Sequence, residues 1–177
     1  FPTVDDAEYI LADVAGTSSR LAKISRFADL LANASPEEVP IAVAYLSGVL
    51  PQGTIGVGWA ALRTLPPPAA EPTLELLQVD AAASRLASIS GAGSQKARRE
   101  ELDALFSRAT EGEQRFLVGL FLGELRQGAL EGVMSAAVAK TAGVPADDVR
   151  RATMLSGDLA EVASVAVREG SQGLTRF

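Results

Sequence analysis

The 177-residue sequence contains no cysteine and no histidine. Without thiolates or imidazoles it cannot form a disulfide framework, a Cys/His zinc site, a cysteine nucleophile or a Ser-His-Asp triad, and any metal would need an all-oxygen site. Aromatic residues are scarce at 5%, with one tryptophan, Trp59, and two tyrosines, Tyr9 and Tyr45. Single-strand and RNA readers stack bases on interleaved aromatic side chains, so both classes are disfavoured. The N-terminal residues Phe1-Pro2-Thr3 lead into acids instead of the basic and apolar regions of a signal peptide, and the expected location is the cytoplasm.

Positive charge is in deficit too, with 16 Lys and Arg against 22 Asp and Glu and a net charge of −6. Nucleic-acid-binding domains are usually basic. The excess is uneven, however: Asp5, Asp6, Glu8 and Asp13 fall in the first 16 residues, which carry no Lys or Arg, while from residue 17 on 18 acids face 16 bases. What remains abundant is small and aliphatic. A hydrophobic fraction of 47% rich in Ala and Leu predicts an all-α domain.

One stretch, residues 39–62, has no charged residue over 24 positions, long enough to cross a bilayer. Pro51, Gly53, Gly56 and Gly58 interrupt it, and a buried helix, a loop and a second helix are expected instead, with no membrane contact.

An offset of 75 aligns residues 30–53 with 105–128 without a gap. Eight of the 24 pairs are identical: Leu30/Leu105, Ala34/Ala109, Glu38/Glu113, Val43/Val118, Gly48/Gly123, Leu50/Leu125, Gln52/Gln127 and Gly53/Gly128, where about two are expected by chance. Ser35 with Glu38, and Thr110 with Glu113, have the spacing of a capping box opening a helix. Apolar residues then recur at 43, 46 and 50, and at 118, 121 and 125, which is helical spacing. The expected architecture is roughly ten helices in one domain. Repeat one spans about 17–65, with helices near 19–33, 36–50 and 57–65; repeat two spans about 91–142, with helices near 94–109, 111–126 and 129–142. A proline-rich connection at 66–73 and a linking helix at about 75–89 join them, C-terminal helices follow over about 145–168, and the repeats are expected to pack with pseudo-twofold symmetry.

Chemistry is concentrated at turns that open helices. Gln52-Gly53-Thr54-Ile55-Gly56-Val57-Gly58 and Leu125-Arg126-Gln127-Gly128-Ala129 could present backbone N–H groups and a helix dipole to a phosphate, although glycines that simply turn the chain would look the same. Thr17-Ser18-Ser19-Arg20 with Lys23, and Ser94-Gln95-Lys96 with Arg98 and Arg99, each read as a hydroxyl N-cap followed by bases. For either one alone, ordinary capping on a solvated face is the preferred reading. Two matched phosphate-seeking turns related by a pseudo-twofold suit the two backbones flanking a minor groove.

Ile55-Gly56-Val57-Gly58 paired with Gly123-Glu124-Leu125-Arg126-Gln127-Gly128-Ala129, preceded by Ser90-Gly91-Ala92-Gly93-Ser94 and Glu113-Gln114-Arg115-Phe116-Leu117, resembles the N-terminal DNA-binding domain of ATP-dependent DNA ligases. The resemblance extends to Gly157-Asp158-Leu159-Ala160-Glu161-Val162-Ala163. It implies an all-helical module that grips nicked duplex DNA through the minor-groove backbone in replication, repair or recombination, while adenylation and OB-fold domains of the same parent chain use ATP and Mg2+ to seal the nick. By position, it implies DNA contacts at Ser19, Gly56, Gly58, Ser94, Lys96, Arg126, Gly128 and Ala129; Arg20, Lys23, Arg98 and Lys140 are added for charge. No catalytic residue, metal site or cofactor is expected in this segment, because Lys23, Lys96 and Lys140 lack the Lys-x-Asp-Gly context of an adenylated lysine. The alternative is a helical protein-binding scaffold in which the acidic N-terminus and the Trp59 region form the contact.

Overall fold

The computed structural model describes residues 2–125 and 128–177. Ten α-helices are found among them: α1 (Val4–Ala15), α2 (Arg20–Ala32), α3 (Val39–Leu46), α4 (Trp59–Leu62), α5 (Leu76–Ser88), α6 (Ser94–Phe106), α7 (Glu111–Leu122), α8 (Glu131–Ala142), α9 (Ala146–Ser156) and α10 (Leu159–Leu174), with a 3-10 turn at Gly128–Leu130. The described residues include no β-strand, only an isolated bridge between Thr3 and Glu75, and the fold is all-α. None of these helices is long and apolar enough to cross a membrane. The uncharged run is instead divided between α3, a glycine turn and α4.

Local chemistry sets most boundaries. Thr110 Oγ1 accepts the Glu113 N–H at 3.3 Å while Glu113 Oε2 accepts the Thr110 N–H at 2.8 Å, a complete capping box for α7. In the first copy only half of the box forms: Glu38 Oε2 accepts the Ser35 N–H at 2.8 Å, and α3 begins at Val39, not near 36 as expected. Pro40 supplies the reason. A start at 36 would put this proline inside the helix, where its missing N–H and its ring break the hydrogen-bond ladder; a start at 39 puts it in the first turn, where neither matters. Both helices end at a left-handed glycine, Gly48 (φ 72°) and Gly123 (φ 73°). The next amide closes back in each case, Val49 N–H to Ala44 O and Glu124 N–H to Gly119 O, both at 2.8 Å, which is the Schellman arrangement.

Three other elements depart from the sequence reading. Helix α1 was not expected, yet Thr3 and Asp6 form a full capping box, and Val4, Ala7 and Val14 are buried at helical spacing. Helix α4 is one turn instead of nine residues, bounded by Gly58 and by Pro66, which disfavours helical geometry at Leu65. Helix α10 runs on to Leu174 through a break at Gly170 (φ 62°).

A single cluster of buried apolar residues draws on nearly every helix. Within it Phe106 and Phe121 pack edge to face, with centroids 6.0 Å apart. Helix α2 lies along α8, α10 covers α3, α8 and α9, and α1 rests on α2 and α7. The packing therefore does not divide into two self-contained three-helix units. Even the proline connector is fixed, by the Ala69 N–H donating to Ala109 O at 2.8 Å and by Gln114 Nε2 donating to Pro66 O at 3.1 Å.

Candidate nucleic-acid interface

Helix dipoles favour acids in the first turn, and α1, α7, α8, α9 and α10 follow this rule. The other five have no first-turn acid, and of these α2 and α6 open with bases. Their opening turns carry Arg20 and Lys23, and Lys96 with Arg98 nearby. These two N-termini have no acid of their own in the first turn, which suits an anion-binding surface.

At the first, Ser19 is the N-cap of α2, its Oγ accepting the Ala22 N–H at 3.2 Å. Exposed Arg20 reaches across to α8, where its Nη2 donates to Gly132 O at 3.1 Å. Farther along the same pair, Lys140 Nζ meets Ser25 Oγ at 3.4 Å and Thr141 Oγ1 donates to Ala28 O at 3.4 Å. Helices α2 and α8 thus run parallel and present their N-termini together. Arg20 thereby reaches the first turn of α8, which also carries Glu131 and follows exposed Gly128 and Ala129 in the chain. Lys23 is half-buried one turn into α2, and Lys140 sits at the opposite end of α8. Arg126, with Gln127, lies outside the described residues.

At the second, α6 is capped not by Ser94 but by Gly93 (φ 77°), with no side-chain hydrogen bond; Ser94 is the first helical residue and half-buried. Exposed Lys96 makes a loose pair with Glu100 at 3.8 Å. Arg98 turns inward, and its Nη2 donates to Ile89 O at 2.7 Å. Its guanidinium lies against Gly56, where any Cβ would fall 2.8 Å from Nε, and Gly56 also has φ +71°. The left-handed φ favours glycine at this position, and a side chain there would also displace the guanidinium. Arg99, not expected to have a separate role, bonds Asp103 Oδ1 and donates from Nη1 to Ala61 O at 2.7 Å, fastening α4 to α6. Gly58 is the exposed N-cap of α4, and Trp59 follows it into solvent. Local spacing could not reveal Arg99's role, since its partner is 38 residues away.

These contacts join the two copies: Arg20 of α2 in the first reaches α8 of the second, and Arg98 of α6 in the second packs on Gly56 of the first.

Burial shifts two ionisable groups in the interior. Burial raises the Glu113 carboxyl above its usual range, reinforced by the Asp5 carboxylate and opposed by the Thr110 N–H. Burial, then the Asp80 carboxylate, pushes the Tyr45 hydroxyl upward. Neither group contacts the candidate surface residues through a recorded hydrogen bond, and both serve the core.

Compared with known proteins, residues 57–139 match the family described as DNA ligase N terminus. Proteins named "Probable DNA ligase" are similar over nearly the whole chain. That of Mycolicibacterium gilvum (strain PYR-GCK) is 54% identical across 94% of this chain and 32% of its own length. Those of Anaeromyxobacter dehalogenans (strain 2CP-C) and Mycobacterium avium (strain 104) are 52% and 56% identical across 93% and 88% of this chain, and 33% and 30% of their own lengths. The chain spans about a third of the length of these relatives, at their N-terminal part.

Proposed function

The chain belongs to the DNA ligase family as its N-terminal part, and from that premise we propose that it is the DNA-gripping module of an ATP-dependent DNA ligase. It holds nicked duplex through the minor-groove backbone for a parent enzyme that forms phosphodiester bonds in bacterial replication, repair or recombination. One observation carries the reading: α2 and α6 open with bases in place of acids, α6 beside the turn of exposed Gly56 and Gly58 and α2 against the first turn of α8. Such ends offer backbone N–H groups and positive charge to phosphate oxygens without reading sequence.

This module contributes position, not bond making. Holding the duplex turns the encounter between the DNA ends and the parent's reactive domains into an intramolecular event. ATP and Mg2+ do not fit the residues present. The lysines are followed by Ile24-Ser25, Ala97-Arg98 and Thr141-Ala142 instead of x-Asp-Gly, and among the described residues no three carboxylates converge to hold a metal ion. Both are assigned to the adenylation and OB-fold domains of the parent, for which this chain supplies no step.

The test is the salt dependence of binding to a labelled nicked duplex, followed by fluorescence anisotropy. The parent chain should bind at low salt, and Arg20→Ala and Lys96→Ala should each lower affinity and reduce the slope of log K against log salt by about 1. Absence of binding at low salt, or unchanged slopes in both variants, would defeat the proposal.

A further inference from the structure

We propose that Trp59 is a groove-packing residue, its indole ring leaving solvent to lie against the sugar walls of the minor groove when duplex DNA rests on the two helix N-termini. The inference depends on the DNA-binding reading and adds a contact that phosphate recognition neither needs nor explains.

Trp59 is 61% exposed and Tyr9, far from it in the chain on acidic α1, 67%, whereas Phe27, Tyr45, Phe106, Phe116 and Phe121 are all buried. Looseness of the chain does not account for this. The segment is pinned on one side by buried Ile55 and on the other by buried Leu62, by the Arg99 bond to Ala61 O and by Arg98 packed onto Gly56. The ring is thus carried on a fixed platform, which lowers the ordering cost of using it in binding. As first residue of α4, Trp59 has a Cα–Cβ bond that leans toward the helix N-terminus, the end that also bears exposed Gly56 and Gly58. Gly58, with open space where a Cβ would stand, leaves room for a close approach by a backbone, and exposed Lys96 belongs to the neighbouring α6 N-terminus.

A duplex groove offers the complementary chemistry, with cation-seeking phosphates at its rims and apolar sugar surface between, where architectural proteins place apolar side chains. A protein partner fits less well, because the residues flanking the ring, Gly58 and Ala60, add little apolar area. Indole also carries no charge, so its contact releases no phosphate counterions. That separates its contribution from those of Arg20 and Lys96.

Trp59 is the sole tryptophan, so intrinsic emission reports on this residue alone. The experiment titrates the 177-residue chain with a nicked duplex at low salt, following DNA anisotropy, tryptophan emission and acrylamide quenching together. Emission should change with the anisotropy midpoint, and quenching should fall severalfold. Trp59→Ala should weaken binding roughly tenfold with an unchanged salt slope and unchanged circular dichroism, and Trp59→Phe should recover most of the loss. If DNA binds but emission and quenching stay constant, or if Trp59→Ala binds like the parent, the ring is off the DNA and this inference fails while the DNA-binding reading stands. A salt slope reduced by about 1 in Trp59→Ala would also overturn it, by showing that the change acts through phosphate contacts. Failure of any DNA to bind would overturn the underlying reading, and this one with it.

Discussion

Gln114 is only 8% exposed, and its Nε2 donates to Phe106 O at 2.9 Å and to Pro66 O at 3.1 Å, tying the proline connector to the end of α6. Gln114→Leu keeps roughly the same bulk but removes the donor from both carbonyls. At about 1–1.5 kcal/mol per bond the loss should be about 2–3 kcal/mol. Gln114→Glu should cost more at neutral pH, because a carboxylate oxygen then faces two carbonyl oxygens. The same surroundings raise the folded-state pKa of the introduced carboxyl above its unfolded value of about 4.3. The folded state then holds the proton more tightly, so stability rises as pH falls through the folded pKa and levels off below the unfolded one. Gln114→Leu has no such group, and the gap between the two variants isolates the effect. Urea titration supplies the readout: with a slope of about 1–3 kcal/mol per molar, Gln114→Leu should lower the midpoint by roughly 1 M or more. A midpoint within roughly 0.2 M of the parent, or a gap between variants that is equal in mild acid and at neutral pH, would refute the role given to Nε2.

Gly123→Ala, at a φ of 73° with open space around the site, should cost about 1 kcal/mol from left-handed strain alone; an unchanged melting temperature by circular dichroism would contradict this. For Glu113, whose folded pKa is raised by burial and by Asp5, the parent should gain stability relative to Glu113→Gln as pH falls from neutral through that folded pKa, with the gain complete below the unfolded value. Paired urea titrations across this range test the sign, and a pH-independent difference would count against the shift.

Legibility in the sequence followed the range of the interactions involved. Helices α2, α5, α6, α7, α8 and α9 lie close to their expected positions because caps, glycine stops and apolar spacing are all local. Helix α1 carried equally local signals, Thr3 with Asp6 and the series Val4, Ala7 and Val14, but its four acids drew the reading toward charge. Pro40 shortened α3 through a rule acting over four residues, and it distinguishes the two copies although Ser35 and Glu38 match Thr110 and Glu113. The interface was less legible. Arg20 meets Gly132 across 112 residues and Arg99 meets Ala61 across 38, and no spacing along the chain encodes such contacts. Arg98 looked like a free cation in the sequence, and only the close fit against Gly56 shows it facing inward.

The joining of the two copies also bears on the acidic balance of the chain. A net charge of −6 opposes a polyanion at long range, but within a Debye length, about 10 Å at moderate salt, local placement decides. Here most first-turn acids lie on other helices, Asp5 and Asp6 on α1, Glu111 and Glu113 on α7, and Asp147 and Asp148 on α9, leaving the first turns of α2 and α6 to bases, with Glu131 of α8 next to Gly132, which Arg20 bonds. On the DNA-binding reading, local attraction must therefore work against the net field, which favours short-range backbone contacts and makes unaided affinity weak and steeply salt-dependent. On the same reading each binding end joins the two halves of the chain, through Arg20 to Gly132 at one and Arg98 against Gly56 at the other, so neither half alone could assemble a complete end. Binding is then tied to the cooperative fold: changes that unfold the shared core should remove both ends together, whereas Arg20→Ala, confined to one exposed end, should leave the other in place.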